Sequence, residues 1–184
     1  MLIYILIAAA VIVIGFVIVV ATRPSEFRVT RSTTISAPPS SVFEQVNDFH
    51  RWNDWSPWAR MDPNARNSYD GAAAGVDAGF AWSGNSKVGE GRMTITESVP
   101  PQRIGIRLEF IRPFKATNLA EFTFRPQGDQ THITWSMSGR ANFFFKAMGL
   151  LMNCDDMIGK DFDRGLAQMK SIVESARAPE YASN

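Results

Sequence analysis

Residues 155–174 read DDMIGKDFDRGLAQMKSIVE, and this stretch decides the fold. Met157, Ile158, Phe162, Leu166, Met169, Ile172 and Val173 recur at three- and four-residue steps, with Lys160, Asp163, Arg164, Lys170 and Glu174 between them. That spacing predicts a long helix with one apolar stripe, and the stripe has to be buried against another element. Asp155 and Asp156 suit the start of such a helix, where the backbone dipole favours carboxylates.

The covered element is legible upstream. Runs at 80–83, 91–98, 104–111, 117–125 and 131–138 are rich in strand-forming residues and are punctuated by Gly and Pro. Their two-residue period puts Met93, Ile95, Ile104, Ile106, Leu108, Phe110, Phe122, Phe124, Ile133, Trp135 and Met137 on one face. Arg92, Thr94, Thr96, Arg107, Glu109, Thr123, Arg125, His132, Thr134 and Ser136 fall on the other, so the expectation is an antiparallel sheet with one apolar and one wet face. Gly84 with Asn85 predicts a tight turn, Pro100 with Pro101 breaks strand pairing, and Gly128 with Asp129 predicts a hairpin reversal. Residues 27–35 alternate as a further half-buried strand. Pro38 and Pro39 then open a helix that puts Val42, Phe43 and Val46 on one face, and a short helical piece follows at 50–55. The fold class is therefore α+β, a curved antiparallel sheet wrapped around a long C-terminal helix, in one domain over residues 23–184.

A different physics governs residues 1–22. No charge occurs from Leu2 to Ala21, and all 19 Lys and Arg and all 18 Asp and Glu follow Thr22. Twenty such residues span about 30 Å as a helix, the thickness of a bilayer's hydrocarbon. A cleaved signal sequence is the rival reading, with Val19 and Ala21 as small residues before a cut. It lacks a basic leader, and the run exceeds the length usual for a signal's apolar region. We therefore expect a single-pass membrane anchor. Arg23, Arg28 and Arg31 after the run, against a bare N-terminal flank, put the domain on the cytoplasmic side. The lone Cys154 allows no internal disulfide, which fits that compartment.

Composition excludes several functions. A net charge of +1 without a basic run argues against nucleic-acid binding. His50 and His132 have no partner at metal-ligand spacing, so neither a metal nor another cofactor is expected. The glycines at 84–89 have a phosphate loop's first spacing, but Glu90 stands where the Lys is required. Gly89 and Gly91 similarly lack the third Gly of a dinucleotide loop. Asp161 and Glu97 are the acids to check for proton transfer, Glu97 because it shares the parity of Met93 and Ile95.

The chemical emphasis falls on 13 Phe, 5 Trp and 3 Tyr, with Trp52, Trp55 and Trp58 at three-residue steps. Such rings either pack a core or line a pocket. The pocket reading takes Trp55, Trp58, Trp82, Phe110, Trp135, Met137, Met157 and Phe162 as ligand-binding residues. Met148, Met152 and Met169 would add to an adaptable thioether wall.

Several pieces, in order, carry a family resemblance: Ser36-Ala37-Pro38-Pro39 with Val42-Phe43, Trp52-Asn53-Asp54-Trp55-Ser56-Pro57-Trp58, Tyr69-Asp70-Gly71, Trp82-Ser83-Gly84-Asn85 with Val88-Gly89-Glu90-Gly91, Pro113-Phe114, and Asp161-Phe162 with Gly165-Leu166. Over residues 27–177 the chain resembles the SRPBCC or START-like helix-grip superfamily, which includes lipid-transfer START domains and the birch pollen allergen, and within it the polyketide cyclase/dehydrase-like proteins. The resemblance implies a cavity between sheet and long helix that holds an apolar ligand, and it does not imply catalysis. The expected function is a membrane-anchored binding module for a lipid or other hydrophobic small molecule. The alternatives are a cyclase/dehydrase-type enzyme and an accessory subunit whose partner is an integral membrane protein. A reporter fused to the C-terminus is expected to be active on the cytoplasmic side, and activity only outside would reverse the orientation.

Overall fold

Alternation at every second residue and a stripe at every third or fourth are complementary surfaces, and the chain folds one onto the other. The computed structural model describes residues 1–151 and 154–181. Helix α1 (Leu2–Thr22) leads into β1 (Glu26–Ile35), α2 (Pro39–Asn47), a 3-10 turn (Phe49–Arg51) and α3 (Trp52–Trp55). Six strands follow: β2 (Arg66–Gly71), β3 (Ala78–Ser83), β4 (Glu90–Val99), β5 (Arg103–Arg112), β6 (Ala116–Gln127) and β7 (Gln130–Arg140). Two helices, α4 (Phe143–Leu151) and α5 (Cys154–Tyr181), end the chain. The strands form one curved sheet in the order β1-β7-β6-β5-β4-β3-β2, every neighbouring pair antiparallel. α5 packs against β1, α2 and α3, which makes this the helix-grip arrangement.

Phe162, Leu166, Met169 and Val173 are buried on the inner side of α5. Val42, Phe43 and Val46 of α2 are buried as their spacing requires. Arg31 lies on the inward parity of β1, yet it is not stranded there. Its guanidinium crosses to α5, donating to the Asp155 carboxylate at 3.1 Å and standing 3.4 Å from Asp163. The Asp155 bond raises the Arg31 pKa above its ordinary value. Gly159 makes the crossing possible, because a Cβ there would collide with the guanidinium.

Four expectations need correction. The β3–β4 connection is not a tight turn at Gly84 and Asn85 but a loop across Gly84–Gly89, closed by a 2.9 Å bond from Gly84 N to Gly89 O. Asp62 holds it by accepting from Asn85 N at 2.7 Å, and Gly89 takes the positive φ of 66° that few other residues tolerate. Glu97 does not point inward. A bulge between Ile95 and Glu97 shifts the register, so that Ile95 faces Ile106 while Glu97 faces Gly105 on the outer side and pairs with Arg103. Ser136, expected on the wet face, is buried beneath Arg28, whose Nη2 donates to its hydroxyl at 3.0 Å. Met157, expected on the covering stripe, is 47% exposed, because the first turns of α5 extend past the core.

Two elements carry no signal at the level of alternation. β2 is a polar edge strand held by Asp70, which accepts from Arg92 of β4, and that bond keeps the Asp70 carboxyl below its ordinary range. α4 is apolar and short, with no polar periodicity to mark it.

The far end of α5 is tied to β1 by polar bonds. Ser36 N donates to Glu174 Oε1 at 2.7 Å, and Lys170 Nζ lies 3.6 Å from the same oxygen. The Ser36 bond is the main reason the Glu174 pKa falls below its ordinary 4.5. A carboxyl with a depressed folded pKa stabilises the fold above the unfolded value, and that contribution is lost as pH falls through the folded value. Unfolding midpoints should therefore fall on acidification below about pH 4.5, and Glu174→Gln should be less stable at neutral pH and show a flatter acid limb. Parallel acid limbs for the two proteins would contradict the assignment.

Candidate ligand-binding site

Register turns the inner face of the sheet into rows, and burial changes from row to row. Phe124 faces Ile133, and both are buried. Ile104, Phe122 and Trp135 form the next row, at 0%, 0% and 2% exposure. Ile95, Ile106, Ala120, Met137 and Val29 follow, all buried. Beyond them the cover thins. Phe80, Met93, Leu108, Asn118, Gly139 and Phe27 form a row in which Phe80, Leu108, Gly139 and Phe27 are only partly buried. Trp82, Gly91, Phe110 and Ala116 form the last, with Trp82, Phe110 and Ala116 partly exposed. The inner face is thus a closed core at one end and an open apolar floor at the other.

Aromatic rings close the core end. Trp135 and Phe162 stack at 3.9 Å with 5° between planes, and Phe122 lies on the other side of Trp135 at 4.9 Å and 25°. Trp55 meets Trp135 edge-on at 5.7 Å, and Trp58 does the same at 5.9 Å. The indoles of α3 also serve as caps: Trp52 Nε1 donates to Val46 O at 3.0 Å and Trp55 Nε1 to Gln45 O at 2.9 Å, satisfying carbonyls that the end of α2 leaves unpaired. Among the described residues Trp135 Nε1 has no hydrogen-bond partner.

The eight expected ligand-binding residues therefore separate. Trp55, Trp135 and Phe162 belong to the closed stack, and Met137 borders it at 8% exposure. Trp82 and Phe110 lie together on the open floor, their rings at 6.0 Å and 83°. Trp58 covers the edge of the stack, and Met157 is on the surface. Of the thioether wall, Met169 is core, Met148 lies in α4, and Met152 falls outside the described residues.

Asn118 was not anticipated. It is only 7% exposed, on the inward parity of β6, with its Nδ2 directed at Met137 Sδ at 3.9 Å. A thioether is a weak acceptor, so the amide retains most of its hydrogen-bonding capacity. Gly139 makes room for it, since a Cβ there would collide with the Asn118 amide oxygen. Counting back by twos from Phe124 through Phe122 and Ala120 reaches Asn118, so parity carried the signal. Both acids singled out for proton transfer are ion-paired, Glu97 with Arg103 and Asp161 with Arg164. His50 stacks on Tyr69, and His132 Nδ1 lies 3.3 Å from Thr34 Oγ1. Among the described residues no group of three His, Cys, Asp or Glu side chains converges to hold a metal.

The chain matches a known family model, described as polyketide cyclase/dehydrase and lipid transport, over residues 26–174. The chain belongs to this polyketide cyclase/dehydrase and lipid transport family. Solved structures agree on the fold. Protein MLL2253 from Mesorhizobium loti superposes with a TM-score of 0.60 at 15% identity, covering 81% of this chain and 98% of that one. Protein CV1439 from Chromobacterium violaceum gives 0.58 at 16% identity, with 83% and 99% covered. The Aha1 protein from Colwellia psychrerythraea, solved as a dimer in solution, gives 0.58 at 13% identity, with 80% and 96% covered. Comparison with curated proteins gives no match. At these identities the structural likeness speaks for fold alone, while membership in a cyclase/dehydrase and lipid transport family points to hydrophobic ligands.

The division into core and floor is measurable. Phe162→Ala removes a fully buried ring and is expected to cost about 3–5 kcal/mol of stability, whereas Phe110→Ala, truncating a half-exposed ring, should cost well under half of that. Chemical unfolding in mild detergent checks both, and equal losses would place Phe110 in the core.

Proposed function

We propose that this protein is a membrane-anchored binding module that takes a lipid or other elongated apolar molecule onto the open floor, with its domain on the cytoplasmic side. One observation carries the reading: the open rows lie at the end of the sheet where α1 enters it. Glu26, four residues after α1, faces Arg140 across β1 and β7, and the Phe27–Gly139 pair beside it already belongs to an open row. A molecule leaving the bilayer beside α1 would reach half-buried Phe110, Leu108 and Trp82 before any closed row.

The chemistry of the floor supports the same ligand class. Concave sites for small molecules are mainly apolar with a few placed polar groups, and here the amide of Asn118 supplies one. It suits a ligand with a carbonyl or hydroxyl near one end of an apolar body. Helix α1 supports the anchor: 21 residues span about 31 Å, and every residue but Val20 is exposed in the folded chain. The ion-paired state of Glu97 and Asp161 favours binding over cyclase or dehydrase chemistry, which needs an acid free to face the substrate.

Native mass spectrometry of the full chain released from mild detergent is the test. The wild type should carry an apolar adduct, and Ala116→Trp, which fills the last open row, should lose most of it at an unchanged unfolding midpoint. A wild type without adduct after exposure to its host membrane lipids would end the binding proposal.

A further inference from the structure

Helix α4 presents a problem that the binding reading leaves open. Its sequence, FFFKAMGLL, carries a single charge at Lys146, yet none of its described side chains is buried. Phe143 is 49% exposed, and Phe145, Ala147, Met148 and Leu150 are half-buried. A helix this apolar belongs in a core or in lipid, and none of the described side chains of α4 enters the core. At nine residues it spans about 14 Å, far too short to cross a bilayer.

Its neighbours indicate what covers it. α4 packs against α1, and Lys146 Nζ donates to Ala21 O at 3.0 Å, satisfying a carbonyl at the C-terminal end of the long apolar helix. Phe114, in the loop between β5 and β6, meets Phe145 edge-on at 5.6 Å and is itself 43% exposed. Ile111, at the end of β5, is 46% exposed. The segments that supply this surface, residues 110–116 and 139–151, contain no acid, and Arg23, Lys115 and Arg140 are exposed in or beside them. Apolar surface continuous with a membrane-spanning helix and rimmed by cations matches the boundary of a bilayer that contains anionic lipid.

We infer that α4, together with Phe114, is a second membrane element that lies in the interface beside the end of α1 and holds the open floor against the lipid. The inference rests on the reading of α1 as an anchor. α4 links β7 to α5, so its seating fixes both walls of the floor relative to the bilayer and gives a ligand a path that avoids water.

Site-directed spin labelling of the full chain tests this. In a Cys154→Ser background, nitroxides are placed singly at Phe143→Cys and Leu150→Cys in α4, at Val13→Cys in α1 and at Leu119→Cys on the outer face of the sheet, where Leu119 is 59% exposed. The proteins are reconstituted into vesicles of mixed phosphatidylcholine and phosphatidylglycerol, and collision with oxygen is compared with collision with a water-soluble nickel chelate. The oxygen-to-nickel ratio at residues 143 and 150 should exceed that at residue 119 several-fold and approach that at residue 13. A water-like ratio at 143 and 150 with a lipid-like ratio at 13 would overturn the interfacial helix and spare the anchor. A water-like ratio at 13 would overturn both. Protection of 143 and 150 from both reagents would show burial against protein, a second copy or a partner, and would also overturn the inference.

Discussion

Everything in this domain depends on the contact between Trp135 of β7 and Phe162 of α5. The two rings lie parallel at 3.9 Å and join the sheet to the helix face to face. Gly165 eases this closeness: a Cβ there would stand 3.1 Å from both the Trp135 ring and Pro57 Cδ, tight enough to push one of them away. A stacked aromatic pair adds about 0.5–1.5 kcal/mol to the much larger burial of its surfaces. The pair also sets the height of α5 above the sheet, and that height decides which rows are closed. Phe122, Trp55 and Trp58 fill in around Trp135, so the space beneath the helix at this level holds protein side chains.

The open floor follows from the same geometry. α5 runs from Asp155, paired with Arg31, to Arg177, whose Nη1 donates to Ser36 O at 2.9 Å and reaches Asp129 O. Its buried stripe, Phe162, Leu166, Met169 and Val173, begins only about two turns into that path. Its first turns present Asp155 and Asp163 to Arg31 of β1 rather than apolar bulk. The sheet, however, keeps its apolar parity to the last row, with Phe110 and Trp82. Strand periodicity thus supplies more apolar surface than helix periodicity covers, and the difference is the candidate site.

Much of this was legible in the sequence, for physical reasons that also explain the omissions. Sheet and gripping helix were readable because each buries one face, which forces a period. Met93, Ile95 and the inward residues from Ile104 to Met137 obey that parity, and the exception is Glu97, turned outward by the bulge after Ile95, which a count by twos cannot foresee. β2 was missed because an edge strand needs hydrogen bonds and the Asp70–Arg92 pair more than an apolar face. α4 was missed because its apolar residues have no polar face to define a period. The aromatic set was recognised as important, but periodicity shows only that a side chain points inward, and whether an inward ring meets another ring or open space is decided by the partner element. Trp135 and Phe110 share one face of the sheet and differ only in what stands above them.

The coincidence of open floor, α1 and α4 at one end of the sheet is a consequence of strand order. β1 starts where α1 ends, and because β7 lies antiparallel beside it, β7 must finish there, so α4 begins beside α1 whatever its side chains. Antiparallel pairing carries the rule across the sheet: β6 starts at this end, β5 finishes, β4 starts and β3 finishes. The loops bearing Phe114 and Gly84–Gly89 therefore share it, while the turns at Pro100–Pro101 and Gly128–Asp129 lie at the other. Helix α2 packs on β5, β6 and β7, whereas the end of the sheet beside α1 carries exposed Phe114 and Ile111. This topology brings the loop bearing Phe114 and the start of α4 to the end of the sheet that α1 enters, so among the described residues the exposed aromatic rings outside α1, Phe114 and Phe143, share that end.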